Sequence, residues 1–354
     1  MFHRLEEYIY NLVTNKIQGP MAVFLRGFLF LFSLVYGLGV IILAFLYCLK
    51  PARFHALVIS VGNITLGGTG KTTFVEYLSD KLISAGNKVA VLSRGYKRDL
   101  RKPGSQGLGD EPAMLQRKFP RLFVIVDKNR VRGARRAIKE YAVDTLLLDD
   151  GLQQWRIFKD LEIVTINAQD PFGNYLLLPR GFLREPLTAL KRADIFVLTQ
   201  VDLVSDTDLL TAKLKSINSR ALIVESVHKP VGFTSVDKAN EFLTLDALRG
   251  KQVAVFSGIG NPQGFESCIF ALGLHIGKAF RFADHHDYTQ ADMHGIIKEA
   301  KQRNLEAIIT TEKDAVKIRE LAVQGASILA LDIKLSITKN EAEFNRRLLK
   351  LYPV

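Results

Sequence analysis

The chain has 354 residues, 48% hydrophobic and 24% charged, long enough for two domains that each bury a core. Its 48 Lys and Arg against 36 Asp and Glu leave a formal charge of +12, which favours nucleic acid, phospholipid surfaces or phosphorylated substrates as partners. Cys48 and Cys268 are its two cysteines, so a disulfide framework is excluded and a reducing compartment is permitted.

At the N-terminus Phe2, Leu5, Ile9, Leu12, Val13 and Ile17 share one helical face, and Gly19-Pro20 ends the pattern. Such a helix either lies in a membrane interface or packs on the main body. Gly27 to Leu49 is then a run of 23 uncharged residues bracketed by Arg26 and Lys50. At about 1.5 Å per residue it can cross roughly 30 Å of hydrocarbon. A secretory signal has an apolar part of about 7–15 residues closed by small side chains. This run closes Phe-Leu-Tyr-Cys-Leu-Lys, so it reads as a retained membrane anchor, with a buried soluble helix as the competing reading. Basic residues on both flanks (Lys16 and Arg26, Lys50 and Arg53) give no orientation. Residues 1–50 are therefore an anchoring region, and membrane lipid rather than nucleic acid is the expected anionic surface.

The strand from His55 to Val61 runs into Gly62-Asn-Ile-Thr-Leu-Gly-Gly-Thr-Gly-Lys-Thr-Thr73. A helix then starts near Lys71 and stops at Ala85-Gly86-Asn87. This is the layout of a phosphate-cradling loop. Gly67, Gly68, Thr69 and Gly70 let backbone N–H groups turn inward; Lys71 reaches the β- and γ-phosphates, and Thr72 offers a hydroxyl to Mg²⁺. The helix N-terminus, with Thr73 in its first turn, adds its dipole. The full pattern wants Gly at position 65, where this chain has Thr65. A nucleoside triphosphate is the expected ligand. Because ATP is cytoplasmic, the soluble part should face the cytoplasm.

Strand-like runs follow at Val89–Leu92, Leu122–Val126, Thr145–Leu148, Ile163–Ile166 and Ile195–Thr199, with helical stretches between several of them, such as Asn129 to Tyr141. The fold class expected is α/β: a P-loop NTPase-like doubly wound sheet over residues 51–225. A smaller α/β lobe over 226–354 opens with an extended linker and carries its own strands at Val253–Ser257, Ile308–Thr311 and Ile328–Leu331.

Thr145-Leu-Leu-Leu-Asp149-Asp150-Gly151 is an apolar strand ending in two carboxylates, the element that holds Mg²⁺ in phosphate-loop enzymes. Neighbouring strand residues face opposite ways, so one aspartate should dominate unless the chain turns there. Asp110, in Gly109-Asp-Glu-Pro112, is placed either as general base toward a hydroxyl or as a helix cap. Asp284-His285-His286-Asp287 either ligates a metal, supplies a histidine that tunes an aspartate, or forms a polar turn. Thr199-Gln-Val-Asp202 lacks the Asn and Lys of a guanine-reading element. Arg94, Lys97, Arg98, Arg101, Lys102, Arg130, Arg132, Arg135 and Arg136 are available to substrate phosphate or lipid headgroups.

Taken in order, Gly62-Asn-Ile-Thr-Leu-Gly-Gly-Thr-Gly-Lys-Thr, Leu92-Ser-Arg-Gly-Tyr, Gly109-Asp-Glu-Pro, Asp149-Asp-Gly-Leu-Gln, Gly181-Phe-Leu-Arg-Glu-Pro, Phe256-Ser-Gly-Ile-Gly-Asn-Pro, Asp284-His-His and Thr311-Glu-Lys-Asp resemble the tetraacyldisaccharide 4′-kinases of lipid A biosynthesis. The likeness covers nearly the whole chain. Thr65 is no departure from that family, whereas Thr73 stands where its members often have proline.

The resemblance implies transfer of the ATP γ-phosphate to the 4′-hydroxyl of an acylated glucosamine disaccharide 1-phosphate at the inner membrane, with Mg²⁺ and no obligate protein partner. It implies Asp110 as general base, supported by His285 from the other lobe on closure. It also implies Asp149 and Asp150 organising metal and phosphate, and Arg184 and Glu185 lining the reacting centre. A membrane-anchored ATPase or GTPase switch, and a metal phosphoesterase built on Asp-His-His, are the alternatives.

Overall fold

The computed structural model describes residues 2–94, 110–237, 241–284, 286–319, 321 and 327–352, and their side chains except those of 2–7, 110 and 111. In chain order, α1 (Phe2–Val13) and α2 (Pro20–Leu49) precede β1 (Leu57–Gly62), α3 (Lys71–Ser84), β2 (Val89–Ser93) and α4 (Asp110–Lys118). There follow β3 (Phe123–Val126), α5 (Arg130–Tyr141), β4 (Thr145–Asp149), β5 (Leu161–Asn167), β6 (Ile195–Thr199), α6 (Asp208–Ile217) and β7 (Leu222–Ser235). The remainder is β8 (Phe242–Leu243), β9 (Gln252–Ser257), α7 (Pro262–Ala271), β10 (His275–Arg281), α8 (Gln290–Gln302), β11 (Ala307–Thr311), α9 (Glu312–Ile318), β12 (Ile328–Lys339) and α10 (Glu341–Leu349).

The chain forms two compact units. Unit 1 comprises Met1–Gly95, Phe119–Val227 and Leu335–Val354; unit 2 comprises Tyr96–Lys118 and His228–Lys334. This differs from a cut near residue 225 in two segments. Helix α4 groups with the second unit because it lies on α9, where Lys118 Nζ donates to Glu312 Oε1 and Oε2 at 2.9 and 3.1 Å. The C-terminal stretch returns to the first unit.

In unit 1 the strands run β7-β6-β5-β1-β4-β2-β3, all parallel. Strands β2, β4 and β6 are buried at every residue, as a sheet covered on both faces requires. Val58, Leu146 and Leu148 pack with Ala134 and Ala137 of α5. On α3, Phe74, Val75, Leu78 and Leu82 are buried. Asn129 caps α5, its Oδ1 accepting from Arg132 N at 3.2 Å, so the helix starts one residue later than the apolar pattern alone.

Unit 2 repeats the layering on β10-β9-β11-β12, again parallel, with β8 antiparallel to the end of β7. Alternation decides the faces. Ala254 and Phe256 pack with α8 and α9, whereas Val253 and Val255 pack with Phe265 and Ile269 of α7. The doubly wound sheet with a second, smaller α/β unit is thus the observed fold.

Candidate active site

Strand β1 delivers the chain to the phosphate loop through Gly62. A Cβ there would lie 2.4 Å from the Leu152 backbone N and 2.6 Å from Leu152 Cβ. Glycine therefore lets the segment after β4 close onto the loop. Asn63, fully buried, follows. Its Oδ1 accepts from Lys71 Nζ at 3.1 Å and from Arg184 Nη1 at 3.3 Å, while its Nδ2 donates to Thr65 O at 2.6 Å.

The loop is held from behind. Thr69 Oγ1 lies 2.9 Å from Thr165 Oγ1, and Thr199 Oγ1 donates to Thr69 O at 3.1 Å, so β5 and β6 fix this residue through its hydroxyl and its carbonyl. Gly70 is left-handed (φ 76) and caps α3, with Lys71, Thr72 and Thr73 as its first helical residues. Added Cβ atoms at Gly67 and Gly68 would meet nothing within 4 Å, so the loop is open there. Thr65 is not left-handed and bridges Leu183, which explains why glycine is not needed at that position. The same pairing brings in Arg184: Leu66 N donates to Phe182 O and Arg184 N to Ile64 O, both at 2.8 Å.

The two aspartates at the end of β4 part company, because Asp150 turns left-handed (φ 56). Asp149 is buried, and its Oδ2 accepts from Ser93 Oγ at 3.3 Å. Asp150 faces Arg184 as a fork, with Nη1 to Oδ1 at 2.6 Å and Nη2 to Oδ2 at 3.0 Å. Burial pushes the Asp150 carboxyl up, but the Arg184 hydrogen bonds and charge, with Lys71 and Arg130 behind them, hold it below the ordinary carboxylate range.

Arg130 is not a surface cation. It is buried, donating to Asp127 O at 2.6 Å and Asp149 O at 3.4 Å. Its partner carbonyls had no signal in the sequence.

Glu185 behaves differently from its neighbour. It is 1% exposed, and its Oε1 accepts from Gln153 Nε2 at 3.0 Å while Arg192 Nη2 reaches both oxygens at 2.9 and 2.8 Å. Where the sequence placed it at the reacting centre beside Arg184, the structure turns it inward to brace the segment after Arg184. Asn63, Gln153 and Arg192 had no assigned role in the sequence reading. The polar side chains at 63 and 153, each within a motif, were the available signal.

In unit 2, α4 begins at Asp110, whose side chain lies outside the described residues, as does His285. By contact α4 belongs to the same unit as Asp284 and His286, the residues that flank position 285. The neighbours of position 285 are tied down. Asp284 Oδ1 accepts from Lys313 Nζ at 3.0 Å, and His286 Nε2 lies 3.2 Å from Asp292 Oδ2. Asp314, fully buried, accepts from Gly258 N at 2.9 Å and Thr311 Oγ1 at 2.8 Å, joining the Thr-Glu-Lys-Asp and Phe-Ser-Gly-Ile-Gly segments. Among the described residues no group of three or more His, Cys, Asp and Glu is disposed to hold a metal on its own. Of the basic residues, Lys97, Arg98, Arg101 and Lys102 also lie outside the description, while Arg132 pairs with Asp127 at 2.7 Å.

Beside the loop a groove of about 540 Å³ is walled by Tyr10 of α1 and Thr14 just after it, by Thr65, Leu66 and Gly67, and by Asp170, Gly173, Asn174 and Phe182. Among the described residues α2 is the one helix long and apolar enough to cross a membrane.

Residues 25–352 match the family described as tetraacyldisaccharide-1-P 4′-kinase. Among its relatives, the tetraacyldisaccharide 4′-kinase of Halothermothrix orenii is 35% identical, the alignment covering 95% of this chain and 96% of the relative. That of Anaeromyxobacter dehalogenans strain 2CP-C is 38% identical over 84% of this chain and 80% of its own. The crystal structure of LpxK from Aquifex aeolicus in complex with ATP superposes with a TM-score of 0.75 at 26% identity, covering 93% of this chain and 100% of that one. The chain belongs to the tetraacyldisaccharide-1-P 4′-kinase family, a family of phosphate-transferring enzymes.

Proposed function

We propose that this chain transfers the γ-phosphate of ATP to the 4′-hydroxyl of a tetraacylated glucosamine disaccharide 1-phosphate, a step of lipid A biosynthesis, at the cytoplasmic face of the inner membrane. The observation that carries it is the chain of side chains Lys71–Asn63–Arg184–Asp150, which sets two cations and a carboxylate at the mouth of a phosphate loop. Phosphoryl transfer asks little covalent chemistry of a protein; it asks for positioning, neutralised charge and a proton acceptor.

Lys71 and the N–H groups from Gly67 to Thr73 bind the β- and γ-phosphates. Arg184 neutralises charge that develops as the phosphoryl group leaves, its orientation set by Asp150 and Asn63. Asp110 accepts the proton of the attacking hydroxyl, with His285 supporting it. Glu185 acts through Arg192 and Gln153 to hold Arg184's segment in place.

The donor set fits Mg²⁺. The hard oxygens of Thr72, Asp149 and Asp150 lie on the loop and at the end of β4, and Mg²⁺ takes one or two carboxylates plus substrate phosphates rather than an all-protein cage. When bound, the ion supplies positive charge to the phosphate oxygens. With both Asp150 oxygens on Arg184, Asp149 is the better disposed of the two. The groove against α1 suits an acceptor whose sugar head needs polar partners such as Asp170 and Asn174, while its acyl chains need the apolar surroundings that α2 provides.

The test is transfer of ³²P from γ-labelled ATP into a lipid A disaccharide 1-phosphate precursor in detergent micelles. The wild type is expected to label the lipid, with Lys71→Ala and Asp110→Ala each slower by about 10²–10³-fold or more. Phosphate release without labelled lipid would instead identify a nucleotide switch.

A further inference from the structure

Two sequence motifs have no part in the chemistry proposed so far: Phe256-Ser-Gly-Ile-Gly-Asn-Pro and Thr311-Glu-Lys-Asp. Within unit 2 both converge on the stretch from Phe282 to Tyr288. Phe282 N donates to Ser257 O at 2.9 Å, at the end of β9. One residue on, a Cβ at Gly258 would stand 3.0 Å from Tyr288 OH, 3.2 Å from Ala283 O and 3.2 Å from Asp314 Oδ1. Glycine therefore lets the stretch and Asp314 close on the strand end together. Inside the stretch the Phe282 ring stacks on His286, with centroids 4.6 Å apart, and Tyr288 meets both rings edge-on at 5.1 and 5.0 Å.

Helix α9, which opens within the second motif, holds this stretch and α4 at once. Asp314 is its pivot: fully buried, its Oδ2 accepts from Gly258 N and from the capping Thr311 Oγ1. On one side of the pivot Glu312 takes Lys118 of α4 at 2.9 Å. On the other, Lys313 Nζ donates to Asp284 Oδ1 and Lys317 Nζ to His286 O, both at 3.0 Å. The helix that begins at Asp110 and the residues flanking position 285 thus share one anchor.

The two ion pairs are half-open to water, the side chains of Lys118 and Glu312 being 26% and 21% exposed and those of Lys313 and Asp284 24% and 48%. Pairs of this kind add little to stability, because solvent screens them and ordering two long side chains costs entropy. What they fix is placement.

We infer that Glu312 and Lys313 are positioning residues for the phosphoryl transfer. Glu312 sets the helix that carries Asp110, Lys313 sets the stretch that carries His285, and α9 thereby fixes the spacing of the proton acceptor and its supporting histidine. Neither residue touches the reacting atoms. This rests on the roles proposed above for Asp110 and His285.

The test measures ³²P transfer by the full chain in micelles, with Glu312→Gln and Lys313→Gln made alone and in combination with Asp110→Ala and His285→Ala. Each single variant is expected to lower kcat about 10-fold, since a displacement of about 1 Å at a reacting centre costs up to about 10²-fold. The KM for ATP and the melting temperature should stay at their wild-type values. Residues that act as a unit are not additive. Glu312→Gln should therefore cost nothing further in Asp110→Ala, nor Lys313→Gln in His285→Ala, and reversing one pair with Lys118→Glu and Glu312→Lys should restore the rate. Losses that multiply across these pairs, or single variants with wild-type kcat, overturn the positioning role and leave Asp110 and His285 in place. A raised KM for ATP at unchanged kcat overturns it too, by assigning the residue to the nucleotide. Wild-type rates in Asp110→Ala and His285→Ala themselves overturn the catalytic reading beneath it.

Discussion

Arg184 serves three neighbours at once: its guanidinium forks onto Asp150, reaches Asn63 Oδ1, and its carbonyl receives Tyr36 OH. Lysine carries the same charge but only a point donor, so it cannot hold both Asp150 oxygens in one plane. Arg184→Lys is expected to lower kcat about 10–100-fold, a few kcal/mol at most, while the KM for ATP changes little, since Lys71 and the loop remain. Steady-state kinetics in micelles checks this, and an equal loss in kcat and ATP affinity would place Arg184 on bound nucleotide instead. The same pair has a pH signature. Because the folded Asp150 carboxyl is held below its ordinary value of about 4, its contribution is present above that value and fades as pH falls through the folded one. The stability gap between wild type and Asp150→Asn, read from urea midpoints, should stay constant from neutral pH to about pH 4 and narrow below it. Lys71 and the two aspartates were legible because each closes a local strand-and-loop pattern. Asn63's double acceptance and Glu185's inward turn were not, since Arg184 lies 121 residues from Asn63 and no local pattern encodes that meeting.

At the scale of elements, the site depends on how tightly β1 and the end of β4 approach. Gly62 and Gly151 permit it, a Cβ at Gly151 standing 2.3 Å from Ser60 Oγ. At Gly62 the obstacle is Leu152 backbone, which cannot swing aside as a side chain tip can. Gly62→Ala should therefore push away the segment that carries Asp149 and Asp150. It is expected to cost about 1–3 kcal/mol of stability together with a clear loss of ATP affinity. Gly68→Ala, where the added methyl meets open space and φ is not left-handed, should stay within about 0.5 kcal/mol. Thermal melts of the two variants decide between this contrast and a loop that tolerates both. Alternating strands and helices were readable from apolar runs and turn residues, and most boundaries moved by a residue or two. The docking of α2 was not readable. Its sequence shows apolar residues all round, and only the small residues at 22, 33, 37 and 44 mark the stripe that faces protein.

For the whole molecule the decisive fact is that unit 1 is finished by the far end of the chain. Phe344 of α10 is fully buried, its ring 5.9 Å from Phe74 and 6.2 Å from Tyr77 on α3, the helix that presents Lys71. Tyr352 OH lies 2.9 Å from Thr145 Oγ1, and Asn340 Nδ2 donates to Ile223 O at 2.8 Å. An extended stretch after Val224 marks a division near residue 225, and nothing local at either end announces that 335–352 returns or that α4 leaves. Contacts of such long sequence separation cost loop-closure entropy before they repay it, so they leave no periodic trace. Phe344→Ala should cost about 3–5 kcal/mol, since a buried ring is removed and the cavity stays. Trp155 is the chain's one tryptophan and lies in unit 1, so its fluorescence reports that unit directly. Its denaturation midpoint should fall in the variant, and a fragment ending at residue 225 should fail to give a cooperative transition. A fragment that folds and binds ATP would mean that the aromatic contacts under α3 are dispensable.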